Sequence, residues 1–259
     1  MSVVVLGAGG RLGRLIRPRS AWPARWLDRA QADVADRHAL MRVIGAGDVV
    51  LCLAGVTPGS DRDMGDNVTL ARAVLDASLT ARAGRVFLFS TAAVYGTLPG
   101  PLCEAGSVAP LSDYGRAKCA MEDMAAAYPH PSTVLRLGNV AGADAILGGW
   151  RAGFALDVLP EGGTPRRSYI GPGALARVLG DLTRAADLPA TLNVAAPGAV
   201  AMGDLLDAAH LDWTPRPATG NTIANVTLDI TRLARFTDFH PLDSTAAGIV
   251  ADWNGVDHI

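Results

Sequence analysis

The chain has 259 residues, 49% of them hydrophobic and 19% charged, with a formal net charge of −2. That length suits one large domain, or a domain with a small lobe, and the hydrophobic share excludes global disorder. The near-neutral balance leaves no basic footprint for nucleic acid and no polybasic patch for a membrane surface.

The first element is a short apolar run, "SVVVLG" (2–7). It is too short to cross a membrane and no basic segment precedes it, so a soluble, cytoplasmic protein is expected. Further runs follow: "ARWLD" (24–28), "DVVLCLAG" (48–55), "RVFLFS" (85–90), "STVLRLG" (132–138) and "TLNVA" (191–195). They are continuous rather than alternating, which suits strands buried on both faces of a parallel sheet. Helical segments fall between them, as in "NVTLARAVLDASLTARA" (67–83) and "DYGRAKCAMEDMAAAY" (113–128). The alternation predicts an α/β fold with a Rossmann-type doubly wound parallel sheet.

Beyond about Gly142 the periodicity loosens, and 142–165 and 196–226 are rich in Gly, Pro and Ala. The expected division is a dinucleotide-binding domain over 1–141 and about 166–196. A small C-terminal substrate lobe would take about 142–165 and 197–259. Ligands in such folds bind in the crevice outside the carboxyl ends of the strands. The three cysteines, Cys52, Cys103 and Cys119, have no paired or metal-like spacing. They read as reduced thiols, with no metal site.

In "VVVLGAGGRLG" the first strand runs into glycines at Gly7, Gly10 and Gly13. Glycine permits a tight turn and close approach to a pyrophosphate, which then sits on a helix N-terminus. Asp28 ends the second run, 21 residues after Gly7. That is near the spacing of an acid that binds ribose hydroxyls, which favours NAD. Arg29 follows and is placed to hold a 2′-phosphate, so NADP is the alternative. The helix after the loop meets Pro18 early and should be short.

Lys118 is the only lysine in the chain, and it stands four residues after Tyr114. Tyr114, Ala117, Met121, Met124 or Ala125, and Tyr128 recur at helical spacing, and Lys118 falls within that stripe. Arg116, Glu122 and Asp123 are expected on the opposite face. A lysine facing inward is costly without a partner or a task. Beside a phenol its charge favours the phenolate, lowering the tyrosine pKa towards the range useful for proton exchange with a substrate hydroxyl. Arginine's planar fork would not replace it cleanly. "RVFLFSTAAVYG" ends a buried strand in Ser90 and Thr91, and a hydroxyl there faces the ligand crevice.

With these residues in place, the chain resembles the extended short-chain dehydrogenase/reductases of the NAD-dependent epimerase/dehydratase family. The matching stretches include "GAGGRLG", "NVTLARAVLDA", "FLFSTAAVYG", "YGRAK", "VLRLGNVAG" and "RRSYI". The resemblance implies that Thr91, Tyr114 and Lys118 are catalytic, with Tyr114 and Lys118 also touching the cofactor. It implies a pyrophosphate loop of Gly7, Gly10, Arg11, Leu12 and Gly13, a ribose acid at Asp28 and adenine contacts at Asp33 and Val34. Leu53, Ala54, Gly55 and Asn67 would complete the cofactor site. Asn139 and Arg167 would contact the phosphates of a nucleotide sugar, with Thr91 also on the substrate. A homodimer is implied too. The chain departs from the family's pattern at Ala174, where an acid is usual after "RRSYI".

The expected activity is that of an NAD(P)-dependent oxidoreductase or epimerase. It would act at a hydroxyl or carbonyl carbon of a nucleotide sugar or a small carbonyl compound. Dehydratases of the family often carry an acid pair after the catalytic hydroxyl; Ala92 and Ala93 stand there instead, which favours an epimerase or reductase. The alternative is a non-catalytic NAD(P)-binding sensor of the same fold.

Overall fold

A computed structural model describes residues 2–255. Met1 and residues 256–259, the outer ends of the expected division, lie outside the described residues. All six apolar runs become strands of one parallel sheet. They are β1 (Val3–Leu6), β2 (Arg25–Leu27), β3 (Val49–Cys52), β4 (Arg85–Thr91), β5 (Ser132–Leu137) and β10 (Thr191–Val194). Their order is β10-β5-β4-β3-β1-β2. The chain reverses direction across the sheet between β1 and β3, the switch point at which such sheets bind ligands.

Period-2 alternation sends successive side chains to opposite faces, and both faces are covered. Val5, Leu51, Phe87 and Leu135 pack under α1 (Arg11–Ile16) and α5 (Pro172–Arg184). Val4, Val50, Leu88 and Val134 pack under α2 (Arg37–Val43), α3 (Asp66–Ala81) and α4 (Asp113–Ala126). This double coverage explains why the runs are continuously apolar. The α1 helix is short as expected, passing into a 3-10 turn at Arg17–Arg19 around Pro18.

The looser part of the sequence forms small pairings. Strand β6 (Asn139–Val140) joins β9 (Tyr169–Ile170), and β7 (Ala155–Val158) joins β12 (Thr214–Pro217). Strand β8 (Arg166–Arg167) lies between β11 (Val200–Ala201) and β13 (Asn225–Val226). With α6 (Met202–Ala208) and α7 (Ala246–Asn254) they enclose a second core of Leu147, Leu156, Tyr169, Leu205 and Ile249. Leu233, Phe236 and Phe239 pack instead on the core beneath α5.

Ala174 lies in the first turn of α5, where a carboxylate reaches in from another helix. Asp252, on α7, accepts from the Gly173 and Ala174 amides at 3.0 and 2.9 Å. These amides open α5, which has no side-chain cap of its own. A carboxylate there satisfies orphan donors and complements the helix dipole. Asp252→Ala is therefore expected to cost about 1 kcal/mol, read as a lowered urea midpoint.

Candidate active site

The glycine loop leaves β1 at Gly7, whose φ is +82°. A Cβ there would also stand 2.7 Å from the Ala54 nitrogen, so the position admits only glycine. At Gly13 a Cβ would meet the Ala8 carbonyl oxygen at 2.3 Å, which means α1 sits directly on the loop. Gly13→Ala should push helix and loop apart, costing about 1–3 kcal/mol of stability. NAD affinity should fall with it, and calorimetric titration checks this.

Two cavities meet along the carboxyl edge of the sheet. One, of about 430 Å³, is lined by Gly7, Gly10, Asp28, Asp33, Val34 and Ala54, among others. The other, of about 490 Å³, is lined by Arg11, Leu12, Thr91, Tyr114, Lys118 and Asn139, among others. Leu53 and Gly55 line both, making one groove. A glycine turn at one point, an acid at one end and a tyrosine–lysine pair at the other fit an extended dinucleotide.

Within the first cavity, Asp28 Oδ1 accepts from the Ala30 and Gln31 amides at 2.9 and 3.0 Å, so the carboxylate also braces its own turn. Arg29 is tied to Asp33, with Nε 3.1 Å from the carboxylate. Backbone and Arg29 hydrogen bonds hold the Asp33 carboxyl below its usual pKa. Gly13 lies beneath the loop. Asn67 is clamped by hydrogen bonds with both the nitrogen and the oxygen of Val56, fixing the turn after β3. Arg167, on β8, is not among the residues lining the crevice; its guanidinium donates to the Arg166 carbonyl.

Thr91 ends β4, where its side chain accepts from the Ala93 amide at 3.2 Å. Ser112 caps α4 by accepting from the Gly115 amide at 3.1 Å, and Tyr114 enters on the first turn. Lys118 follows one turn later, 5% exposed, and its Nζ donates to the Phe89 carbonyl at 2.8 Å. That nitrogen lies 5.8 Å from the centre of the Tyr114 ring. The three expected catalytic side chains thus meet on one wall of the crevice.

Two expectations need correction. The Tyr114 phenol is not lowered in the free protein: burial pushes it above its ordinary pKa, and a hydrogen bond with Thr91 offsets only part of this. Burial likewise pulls Lys118 down to about 8, opposed first by Cys52 where that thiol is ionised and then by Glu122. The second correction concerns Glu122, which is 9% exposed rather than on the solvent face. Four residues beyond Lys118 is slightly more than one helical turn, so the two share a face.

Glu122 belongs to a buried polar row that the sequence reading missed. Arg136 is paired with Ser90 across β4 and β5, and with Asn193 across β5 and β10. Arg136 binds the Glu122 carboxylate through NH2 at 2.6 Å and Nε at 3.0 Å, and the Ser90 hydroxyl donates to the same carboxylate. Arg136 also donates to the Tyr95 hydroxyl at 2.9 Å, and that hydroxyl donates to Asn193 at 2.8 Å. Burial alone would lower the Arg136 pKa, but Glu122 raises it above its ordinary value. Parity was the available signal: Ser90 and Arg136 continue the Leu88 and Val134 positions that face α4.

A profile of the NAD dependent epimerase/dehydratase family matches residues 3–159. The chain belongs to this family. A search of curated proteins finds no match. Among solved structures, TunA, an NAD-dependent NDP-hexosamine 5,6-dehydratase of tunicamycin biosynthesis, is 17% identical with a TM-score of 0.75, over 99% of this chain and 98% of that one. The UDP-N-acetylglucosamine 4-epimerase of Methanobrevibacter ruminantium is 20% identical, with a TM-score of 0.72 over 98% of each chain. The Thermus thermophilus UDP-glucose 4-epimerase, solved with NAD, is 18% identical, with a TM-score of 0.72 over 98% of this chain and 99% of that one. At these identities the likeness is one of fold. It confirms the Rossmann-type architecture of this epimerase/dehydratase-family chain. Among the described residues no group of acidic, His or Cys side chains is arranged to hold a metal, and no helix is long and apolar enough to cross a membrane.

Proposed function

We propose that this family member is an NAD-dependent epimerase or reductase acting at a carbinol or carbonyl carbon, with Tyr114 moving the hydroxyl proton. One observation carries the reading: Thr91, Tyr114 and Lys118 converge on a crevice continuous with the glycine groove. In this reading Gly7, Gly10, Arg11 and Leu12 hold the pyrophosphate of NAD, and Asp28 takes the adenosine ribose. Lys118 takes the other ribose. Bound NAD supplies hydride exchange at the substrate carbon. Thr91 orients the substrate oxygen, and Tyr114 takes or returns its proton. The Lys118 ammonium beside the ring favours the phenolate as substrate and cofactor reshape the site.

A nucleotide sugar is the proposed substrate class. Its support is the kind of compound named for the structural neighbours, together with Asn139 on the crevice wall. The second core, around Leu156 and Leu205, is proposed as the substrate lobe. Ala92 and Ala93 give no second proton-transfer group after Thr91, which supports epimerase or reductase over dehydratase.

The test is incubation of the purified protein and NAD with UDP- and dTDP-hexoses, followed by NMR of the sugar ring. Epimer formation without net NADH supports an epimerase. In a parallel reaction supplied with NADH and a carbonyl compound, net consumption of NADH supports a reductase. Tight NAD binding with no conversion of either class would overturn the catalytic reading in favour of a sensor.

A further inference from the structure

We propose that Glu122 is a positioning residue of this site: anchored by Arg136 and Ser90, its carboxylate fastens the end of β4 to α4 and supplies the negative charge that keeps Lys118 an ammonium. The assignment rests on the reading of Lys118 as the charged group beside Tyr114. Its geometric basis is the alternation of two adjacent β4 residues. Lys118 donates to the carbonyl of Phe89, and Glu122, one turn on, accepts from the side chain of Ser90. Thr91 is the next residue. A single pair of contacts therefore sets the distance from the Thr91 hydroxyl to the helix that carries Tyr114.

Two groups that can carry negative charge act on Lys118, the Cys52 thiol and the Glu122 carboxylate. From β3 comes Cys52, whose thiol burial pushes up to about 11, so it is neutral near pH 7. From β4 comes the Phe89 carbonyl, and from α4 the Tyr114 phenol, itself shifted upward by burial. Asn67 of α3 approaches the same side of Gly55 as Lys118. A Cβ at Gly55 would stand 3.0 Å from Asn67 Oδ1 and 3.3 Å from Lys118 Nζ. None of these is an anion at neutral pH. Arg136, a cation 7% exposed, holds the Glu122 carboxylate through NH2 at 2.6 Å. Arg136 thus fixes where the negative charge sits, and Glu122 delivers it.

The lone lysine makes the test direct. The full chain grown with [13Cε]lysine gives one lysine side-chain resonance, whose titration reads Lys118 without substrate or turnover. In the unaltered protein the midpoint should lie below the ordinary lysine value, because Lys118 is buried. Glu122→Gln should lower it by about one unit or more, a tenfold change in the protonated ratio. Because Glu122→Gln leaves Arg136 buried alone, Glu122→Gln/Arg136→Met is titrated beside it, and its midpoint should also fall. Ser90→Ala keeps the charge and should leave the midpoint in place. An unchanged midpoint in the double variant would overturn the proposal, as would a shift in Ser90→Ala as large as that in Glu122→Gln. Failure to find a substrate would sink the catalytic reading and leave this titration legible.

Discussion

Tyr114→Phe is expected to lower turnover by about 10²–10⁴-fold, the range contributed by a positioned acid–base group. NAD affinity should stay close to that of the unaltered protein, because the glycine loop, Asp28 and Lys118 are untouched. The substitution is conservative in shape, so the crevice wall and the start of α4 should persist. The ring is half-buried and stands against Lys118 and Thr91; only the hydroxyl is lost. Substrate conversion and calorimetric NAD binding, measured on one preparation, separate the two effects. Near-full turnover in the phenylalanine variant would mean that the proton travels by another route and that Tyr114 merely packs.

The second large effect concerns stability. Arg136→Met should destabilise the fold by about 3–5 kcal/mol, because it strands the Glu122 carboxylate inside the protein. The guanidinium fills a space bounded by Tyr95, over whose ring it lies at 5.0 Å, so packing is lost together with charge. Adding Glu122→Gln to Arg136→Met should return much of that loss, since a neutral pair costs less to bury than one bare ion. Urea unfolding of the two variants decides the matter. Equal midpoints would show that the cost lies in the missing volume of Arg136 rather than in the stranded charge.

The sheet was legible because its strands are buried on both faces. Runs such as "VVLC" leave no solvent side to interrupt them, and all six expected runs form strands. The helix of Tyr114 and Lys118 was legible from its stripe, and the early end of α1 from Pro18. The two-residue strands after Gly138 were not, because two residues carry no period. The burial of Glu122 is hidden by its charge, which suggests a solvent face, whereas its spacing from Lys118 sets it inside. The direction of the Tyr114 shift was beyond reach for another reason. The proximity of a lysine can be read from spacing, whereas the desolvation that opposes it depends on elements as distant in sequence as β4 and the crevice wall.

The Asp252 clamp bears on how the chain is made. The amides at the head of α5 receive their cap from a residue about 80 positions later, and Arg19 of the first helical region donates to the Asp252 and Trp253 carbonyls more than 230 positions away. A nascent chain emerging from the ribosome can pair its first five parallel strands while the head of α5 and the turn after α1 still lack these partners. They are completed only when α7 is released. Contacts of such long sequence separation are closed late and slowly. Helix α7 is thus a late stitch in a fold whose sheet begins with the strand at Val3.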